Sequence, residues 1–449
     1  MARVVDGNRI GFGDPGGRPL HDSSGDTCAS RITGDLLRIA PHPLIYDWNH
    51  DAAGPRPVAM LDDETLRDGL QSPSVRTPSI EEKIDILRRM DTLRIDTVDI
   101  GLPGAGPHVA RDVERLARAI AGEKLQIRAN CAARTVVADI KPIAEITQRT
   151  GVPIECCAFI GSSPIRQYAE GWGLDFLKKC TEDAITFAVR EGLTVMYVTE
   201  DTTRADPDSL RALFTAAIRA GASRVCVADT VGHATPNGAQ ALVRFVGALI
   251  DELKVDVGID WHGHKDRGFG VSSAIAALEA GATRLHGAAL GIGERCGNTP
   301  LDLLLVNLVM MGYRDQDLTS LPAYCEAVAR ACDVRIPPNY PVIGADAFRT
   351  ATGVHAAAVV KAFHKGDRPL MDAVYSAVPA SLVGREQEIE IGPMSGRSNV
   401  IFWLERRGMP ATDDIVDRVF AAAKASNRTL THDQVQIIVD EARRMPVKG

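Results

Sequence analysis

The chain has 449 residues, of which 45% are hydrophobic, and a formal net charge of −7 at pH 7. This charge makes nucleic acid an unfavourable partner, so an anionic substrate has to be attracted by local cations. No stretch approaches roughly 18 uninterrupted apolar residues, the N-terminus lacks the apolar core of a signal peptide, and the nine cysteines contain no Cys-x-x-Cys pair. A membrane partner is therefore not expected, and a cytoplasmic protein in a reducing compartment is predicted.

Residues 1–56 are rich in Gly, Pro, Asp and Ser, which predicts an extended or partly disordered N-terminal leader. Beyond it, eight short apolar segments recur, and patterns with helical spacing lie between them. The predicted strands cover residues 58–62, 97–101, 126–130, 154–159, 193–199, 224–228, 257–262 and 284–290. Eight strand-helix units in one run favour an α/β fold that closes into a (β/α)8 TIM barrel over residues 57–312, with a doubly wound open sheet as the alternative.

The first predicted strand ends in a charged motif, LDDETLRDGLQ, at residues 61–71. Arg67 in this motif is a fixed cation suited to a developing oxyanion or to a substrate carboxylate. An aspartate of the same motif is suited to join two histidines in a three-ligand metal set. Taken alone, however, Arg-Asp-Gly is also a common turn.

The seventh predicted strand ends in a pair of histidines, His262 and His264. Side chains alternate between the two faces of a strand, so histidines two positions apart point to the same side and are able to share one metal ion. The pair alone is equally compatible with two ordinary hydrogen-bonded polar residues.

Polar and charged residues stand at or just after most of the predicted strand ends. They are Arg67, Asp68, Asp99, Asn130, Asp201, Asp229, Thr230, His262, His264, Glu294 and Arg295. Active sites of TIM barrels lie at the carboxyl ends of the strands. The convergence of independent polar residues on one rim therefore favours a metal-containing active site.

From residue 313 to residue 449 the strand-helix repeat stops, and a smaller, mainly helical C-terminal appendage is predicted. A proline-rich connector at 337–341 precedes helical patterns at 415–423 and 431–443. The most conspicuous residues of this region are His355 and Tyr375. Each of them, taken alone, is predicted to be structural.

Taken together, the motifs resemble the 2-isopropylmalate synthase/homocitrate synthase family of metal-dependent Claisen-condensing TIM barrels, within the HMG-CoA lyase-like superfamily. The resemblance runs from about residue 58 to about residue 405. It rests on 65–71 TLRDGLQ, 229–232 DTVG, 262–266 HGHKD, 291–298 GIGERCGN, 353–355 GVH, Tyr375 and 392–397 GPMSGR. The order and spacing of these motifs are specific together, although no single motif is.

The resemblance implies an acyltransferase that condenses acetyl-CoA, as co-substrate, with a 2-oxo acid and then hydrolyses the thioester to give a 2-alkylmalate-type product and CoA. It also implies a divalent metal cation, Mg, Mn or Zn, bound by Asp68, His262 and His264, with Asn298 as a further candidate ligand. The candidate catalytic residues are then Arg67, Asp99, Glu200, His355 and Tyr375, and the candidate substrate-binding residues are Arg67, Gln71, Arg134 and Thr230.

His355 and Tyr375 resemble appendage residues that assist the enolisation of acetyl-CoA, and we expect them to come from the partner subunit of a homodimer. A histidine has an unperturbed pKa of about 6.5, so His355 is suited to accept a proton near neutral pH. Within the barrel, carboxylates such as Glu200 are the alternative base.

Two features depart from the family pattern. Asp99 stands where the family usually has a glutamate, which is one methylene longer, so its contact with Arg67 is expected to shift. The chain also ends at residue 449, so the C-terminal regulatory domain of leucine-inhibited synthases is not expected.

The segment 131–134, interpreted as the loop after the third strand, lacks the histidine with which homocitrate synthases bind the distal carboxylate of 2-oxoglutarate. This favours a small or branched apolar 2-oxo acid such as 2-oxoisovalerate or pyruvate. The alternatives are a citramalate/homocitrate-type or specialised-pathway synthase, an HMG-CoA lyase-like C–C lyase and a carboxyl-transferase relative. The lyase normally carries a catalytic cysteine in a Gly-Gly-Cys-Pro loop, whereas Cys296 lies later and is predicted to be a packing residue. A degenerate barrel used as a binding scaffold is the non-enzymatic alternative.

Overall fold

The structure is a computed structural model that describes residues 42–46, 48–49 and 59–444. Most of the predicted leader, residue 58 at the predicted start of the first strand, and residues 445–449 lie outside the described residues. In the described part of the chain, no helix has both the length and the apolarity needed to cross a lipid bilayer.

Eight parallel strands pair side by side in chain order and close into a barrel, because the last strand pairs with the first. They are β1 Met60–Asp63, β2 Thr97–Asp99, β3 Arg128–Arg134, β4 Ile154–Gly161, β5 Val195–Glu200, β6 Arg224–Asp229, β7 Gly258–Gly263 and β8 Arg284–Gly287. This ring confirms the predicted (β/α)8 TIM barrel, since an open sheet would leave two strands without a partner on one side.

The third and eighth strands differ most from their predicted bounds. Residues 131–134 do not form a loop after β3 but lie within it, paired with β4 as far as the Arg134–Phe159 pair. β8 ends at Gly287 rather than at residue 290. Here another segment of the chain packs so closely that a Cβ on Gly287 would lie 2.8 Å from the carbonyl oxygen of Thr299, and the chain then turns.

Helices alternate with the strands and cover the barrel. They are α1 Ile80–Thr92, α2 Pro107–Glu123, α3 Val137–Thr150, α4 Pro164–Glu170, α5 Leu174–Arg190, α6 Pro207–Ala220, α7 Pro236–Leu253, α8 Gly270–Glu279 and α9 Leu301–Met310. Ser79 and Glu82 form a capping box at the start of α1, and the side chains of Asp206 and Thr235 cap α6 and α7. These caps fix the first turns of the helices, and with them the loops that follow the strands.

The C-terminal region is mainly helical, as predicted. It contains α10 Leu321–Cys332, α11 Gly353–His364, α12 Arg368–Ala373, α13 Arg397–Arg406, α14 Asp413–Ala425, α15 His432–Arg444 and a two-stranded sheet of β9 Arg349–Thr350 and β10 Glu388–Ile389. The packing does not change at residue 313, however. α10 belongs to the main hydrophobic core, where Tyr324 donates a hydrogen bond to Asp63 at the end of β1. Separate small cores begin only with α11, so the barrel body extends through α10.

Candidate functional site

A cavity of about 270 Å³ opens at the carboxyl ends of the barrel strands. The part of its wall that comes from β1, β2, β7, β8 and their loops is charged and contains Glu64, Arg67, Asp68, Asp99, His262, His264, His286, Glu294 and Arg295. The part from β3 to β6 is mainly apolar and contains Ala132, Cys157, Phe159, Met196, Val198, Cys226 and Ala228. We call these parts the charged half and the apolar half. In both halves the strand residues that line the cavity stand at alternate positions, because side chains two positions apart point into the same barrel interior.

Arg67 lies in the charged half between three carboxylates. Its Nε donates to Asp99 at 2.7 Å, its Nη1 to Asp68 at 2.6 Å and its Nη2 to Glu64 at 2.7 Å. Burial lowers the pKa of the guanidinium, but the three carboxylates outweigh this effect and raise the pKa well above its usual value. Arg67 is therefore a fixed cation that uses three of its five N–H groups on these partners.

Asp99 keeps a direct contact with Arg67 although its side chain is shorter than glutamate. One carboxylate oxygen accepts the Arg67 bond, and the other accepts a bond from the backbone N–H of Gly101 at 3.0 Å. Burial raises the pKa of Asp99 to about 7, against the lowering effect of Arg67. Asp99 therefore still reaches Arg67 although its side chain is one methylene shorter than that of glutamate.

Asp68, His262 and His264 lie together where β1 and β7 end. One potential ligand atom from each lies within 4.8 Å of the others, and Asp68 Oδ2 is 3.6 Å from His264 Nε2. Among the described residues, Asp68 Oδ2 and His264 Nδ1 are buried without a hydrogen-bond partner, as is Oδ1 of Asn298, whose backbone pairs with that of His264. These unpaired donor atoms, two imidazoles and a carboxylate fit a divalent cation.

The electrostatics of His264 also suit a metal ligand. Burial lowers its pKa to about 4, and the proximity of His262 adds to this effect. A histidine binds a metal in its neutral form, which His264 therefore adopts at neutral pH.

Glu64 and His286 belong to the charged half, but sequence reasoning missed them. Glu64 Oε1 contacts Nδ1 of both His262 and His286, and the other ring nitrogen of His286 contacts Asp260. Glu64, His262 and His286 form a second group whose potential ligand atoms lie within 4.8 Å. A sequence signal for them was available, because the interior of a packed barrel is otherwise apolar. Ionisable residues stand at alternate positions of three strand regions, namely 62 and 64, then 260, 262 and 264, and finally 284 and 286.

Beneath this site the buried charges are paired. Arg284 donates to Asp260 at 2.6 Å and to Glu155 at 2.7 Å, and Arg224 also donates to Asp260 at 2.6 Å. Burial lowers the pKa of His286, but neighbouring carboxylates, Asp62 first among them, outweigh it and raise the pKa to about 10. Buried charges persist only when they are paired in this way.

The apolar half contains a cluster of sulfur-containing side chains. Cys157, Met196 and Cys226 are buried together, and Val198 packs against them. Burial raises the pKa of both thiols well above the usual value, so they remain protonated and behave as small apolar groups. Cys296, predicted to be a packing residue, is instead exposed and does not line the cavity.

The cavity brings most of the predicted site residues together. Its wall includes Arg67, Asp68, Gln71, Asp99, Glu200, Thr230, His262 and His264. Burial raises the pKa of Glu200, which Arg166 at 3.6 Å opposes. Thr230 Oγ1 accepts a bond from the backbone N–H of Asp201 at 2.7 Å.

Three predicted residues lie elsewhere. Arg134 does not line the cavity, because its exposed guanidinium is bound to Asp139 at 2.6 and 2.9 Å, and the structure therefore does not place it among substrate contacts. His355 and Tyr375 stack in the appendage with their ring centroids 4.1 Å apart. Both are exposed, and neither lines the cavity of its own chain.

Comparisons with known proteins agree with this geometry. The HMGL-like family model matches residues 59–328, a range that covers the barrel and most of α10. A probable 2-isopropylmalate synthase of Methanopyrus kandleri is 33% identical, over 81% of this chain and 68% of its own length. The 2-isopropylmalate synthase of Pyrococcus furiosus is 31% identical over 84% and 75%. A putative (R)-citramalate synthase of M. kandleri is 30% identical over 89% and 75%.

Solved structures support the fold. An HMG-CoA lyase of Bacillus subtilis has a TM-score of 0.51 at 21% identity, covering 63% of this chain and 96% of that one. An HMG-CoA lyase of Acinetobacter baumannii, in complex with coenzyme A and 3-methylmalate, has a TM-score of 0.51 at 19% identity, covering 62% and 92%. At these identities the likeness concerns the barrel alone.

Proposed function

The chain belongs to the HMGL-like family, and we propose that it is an acyltransferase that condenses acetyl-CoA with a 2-oxo acid and releases CoA. Its similarity to 2-isopropylmalate synthases over most of its length supports this proposal. The observation that carries this proposal is the grouping of Asp68, His262 and His264 beside Arg67 at the mouth of the barrel, with buried donor atoms that lack partners among the described residues.

In this proposal Asp68, His262 and His264 hold a divalent cation, Mg, Mn or Zn, with Asn298 as a further ligand. The bound cation supplies Lewis-acid polarisation of the 2-oxo group. Arg67 has two N–H groups beyond its three carboxylate contacts. These are the donors for the oxygen that gains negative charge when the new carbon–carbon bond forms, and they act in a site that is fixed before substrate binds.

Other cavity residues suit the remaining steps. The hydroxyl of Thr230 accepts the bond from Asp201, so its own hydrogen is free to donate to the carboxylate of the 2-oxo acid. Gln71 lines the same cavity and offers a further polar contact. Glu200 is the barrel's own candidate base for the acetyl methyl group, because burial raises its pKa towards that of an effective proton acceptor.

The apolar half points to the kind of 2-oxo acid. Among the residues that the structure describes, no Lys, Arg or His lines the cavity wall from β3 to β6. A second carboxylate there would be buried without a cation, which is costly. The small side chains of Ala132, Cys157 and Cys226 leave room for an apolar group. A small or branched apolar 2-oxo acid, such as 2-oxoisovalerate or pyruvate, is therefore preferred to 2-oxoglutarate.

A thiol-release assay tests the reaction. Purified protein with Mg, Mn or Zn is supplied with acetyl-CoA and, in turn, pyruvate, 2-oxobutyrate, 2-oxoisovalerate and 2-oxoglutarate, and Asp68→Asn protein serves as the matched control. We expect CoA release that depends on both substrates and is fastest with an apolar 2-oxo acid. Failure with every 2-oxo acid, together with cleavage of HMG-CoA, would assign the protein to the lyases instead.

We also propose that His355 and Tyr375 of one subunit complete the site of the other in a homodimer. Their exposure and stacking, away from the cavity of their own chain, support this arrangement. Mixing His355→Ala with Arg67→Ala subunits should restore part of the activity, because one site of each heterodimer is then wholly wild type. No restoration despite proven heterodimers would exclude shared sites. Normal exchange of acetyl-CoA methyl protons by His355→Ala protein would assign the base to the barrel, and Glu200 is then the residue to replace.

A further inference from the structure

Glu64 is the most heavily bonded carboxylate of the charged half. Its Oε1 lies 3.1 Å from His262 Nδ1 and 2.7 Å from His286 Nδ1, and its Oε2 accepts a bond from Arg67 at 2.7 Å. The residue is buried directly after β1, and its side chain reaches His262 in β7 and His286 in β8. A carboxylate held by three partners has little freedom to move towards a cation.

His286 is the least expected member of this group. It is buried, and both of its ring nitrogens face carboxylates, Glu64 at 2.7 Å and Asp260 at 2.9 Å. An ionised carboxylate oxygen only accepts hydrogen bonds, so both nitrogens carry a proton. His286 is thus a buried imidazolium that holds Glu64 by the carboxylate oxygen that Arg67 does not contact. Asp260 is itself fixed by Arg284 and Arg224.

We propose that Glu64, anchored by His286, is a positioning residue that holds His262 with its proton on Nδ1 and so leaves Nε2 as the nitrogen offered to the cation. This inference rests on the proposed metal site of Asp68, His262 and His264. A ligand histidine whose second nitrogen donates to a carboxylate is fixed in tautomer and ring orientation and is a more basic ligand. His286 acts one step further out, through Glu64 alone.

Binding of Co²⁺ to the purified full-length chain, measured by competition with a chelating indicator, tests the proposal without using activity. Glu64→Gln should weaken binding by about 10–100-fold, the usual effect of losing such an outer partner. The visible spectrum of bound Co²⁺ should stay that of the wild type, because the ligands are unchanged. A changed spectrum would make Glu64 a direct ligand and overturn the positioning role.

A double-mutant cycle tests the route from His286. His286→Asn should also weaken Co²⁺ binding, and the protein with both Glu64→Gln and His286→Asn should bind no more weakly than Glu64→Gln alone. Additive losses would show that His286 does not act through Glu64. Asp63→Asn is the matched control, because Asp63 is the buried carboxylate that directly precedes Glu64 in the chain and bonds Thr65 and Tyr324 rather than the histidines.

One measurement needs no change at Glu64, so its outcome does not depend on whether a Glu64 variant folds. The nitrogen-15 histidine spectrum of the metal-free wild type is recorded at a pH alkaline enough to leave a single proton on the His262 ring. The His262 signals, identified by their loss in His262→Gln, should then show a protonated Nδ1 and an unprotonated Nε2. The opposite tautomer would overturn the proposal. If instead the wild type and His264→Ala bind Co²⁺ equally, the metal site itself is wrong, which separates that failure from a failure of Glu64.

Discussion

The charged half and the apolar half of the cavity wall have the same strand geometry, but they differ in what a substitution costs. In the charged half each buried ion needs an opposite partner, as Arg67 shows among Glu64, Asp68 and Asp99. Removing one partner of such a pair leaves a buried charge and costs about 3–5 kcal/mol. In the apolar half, a change in side-chain volume costs about 1–3 kcal/mol. The charged half is thus suited to carry the reaction, and the apolar half is suited to vary with the substrate.

Among the substitutions in the charged half, His264→Ala should cause the largest loss of turnover and of bound metal. Loss of one imidazole from the proposed ligand set removes the cation, which contributes several kcal/mol to the transition state, so turnover should fall about 10³-fold or more. Metal content after dialysis should fall in parallel, while the thermal transition remains cooperative. The exposed His108→Ala on α2 is the control. Wild-type metal content and turnover in His264→Ala would exclude the assignment.

Arg67→Lys should have the next largest effect. One ammonium cannot reproduce a planar fork that contacts Asp99, Asp68 and Glu64 and still has N–H groups to spare. We expect kcat to fall about 10²–10³-fold, with KM for acetyl-CoA little changed. Arg88→Lys, in an exposed pair with Glu123, controls for the substitution itself. A lysine variant with wild-type turnover would remove Arg67 from the chemistry.

The apolar half should respond in specificity rather than in rate. Cys226→Leu narrows the cavity, so kcat/KM for 2-oxoisovalerate should fall relative to pyruvate, by about 10–200-fold for one or two methylenes. Cys157→Ala widens the cavity and should move the ratio the other way. Both ratios come from the same thiol-release assay. If the two variants shift the ratio in the same direction, or leave it unchanged, the side chain of the 2-oxo acid does not lie against this wall.

The sequence predicted the barrel because eight apolar segments with regular spacing leave few other ways to bury them. It also placed Arg67, Asp68 and the two histidines at one rim, since parallel strands end on the same side. Charged residues at alternate positions marked Glu64 and His286 as candidates, but their contact could not be predicted, because it depends on the register in which Asp62 of β1 pairs with His286 of β8. Such a register is a property of the closed ring, and no local pattern encodes it.

The sequence did not predict the ion pair of Arg134 or the packing of α10 against the barrel, for a similar reason. Arg134 faces a strand end as a substrate contact would, but Asp139 at the start of the next helix binds its guanidinium. α10 looks like the start of an appendage, but Tyr324 joins it to Asp63 in the barrel. In each case one contact decides the position of the residue. The partner of Arg134 lies just beyond a turn and the partner of Tyr324 lies far away in the chain, and composition and periodicity indicate neither partner.

Asp63→Asn should have the smallest effect, because Asp63 is the last residue of β1, directly before Glu64, but faces α10 rather than the cavity. Burial raises its pKa to about 7, although the bonds from Thr65 and Tyr324 lower it. The unfolded chain has a pKa near 3.9, so the folded state holds this proton more tightly. Its contribution to stability is therefore full below about pH 4 and is lost as pH rises to about 7.

Asp63→Asn removes this proton, so unfolding free energies measured in urea between pH 4 and pH 8 should fall less with rising pH than those of the wild type. The difference in slope can reach about 1.4 kcal/mol per pH unit and no more, the limit for one proton. Metal affinity and turnover should stay near wild type, because Asp63 belongs to neither half of the cavity. The exposed Asp175→Asn on α5 should keep the wild-type slope. A loss of turnover in Asp63→Asn without a change in slope would mean that the charged half extends through the wall of the barrel.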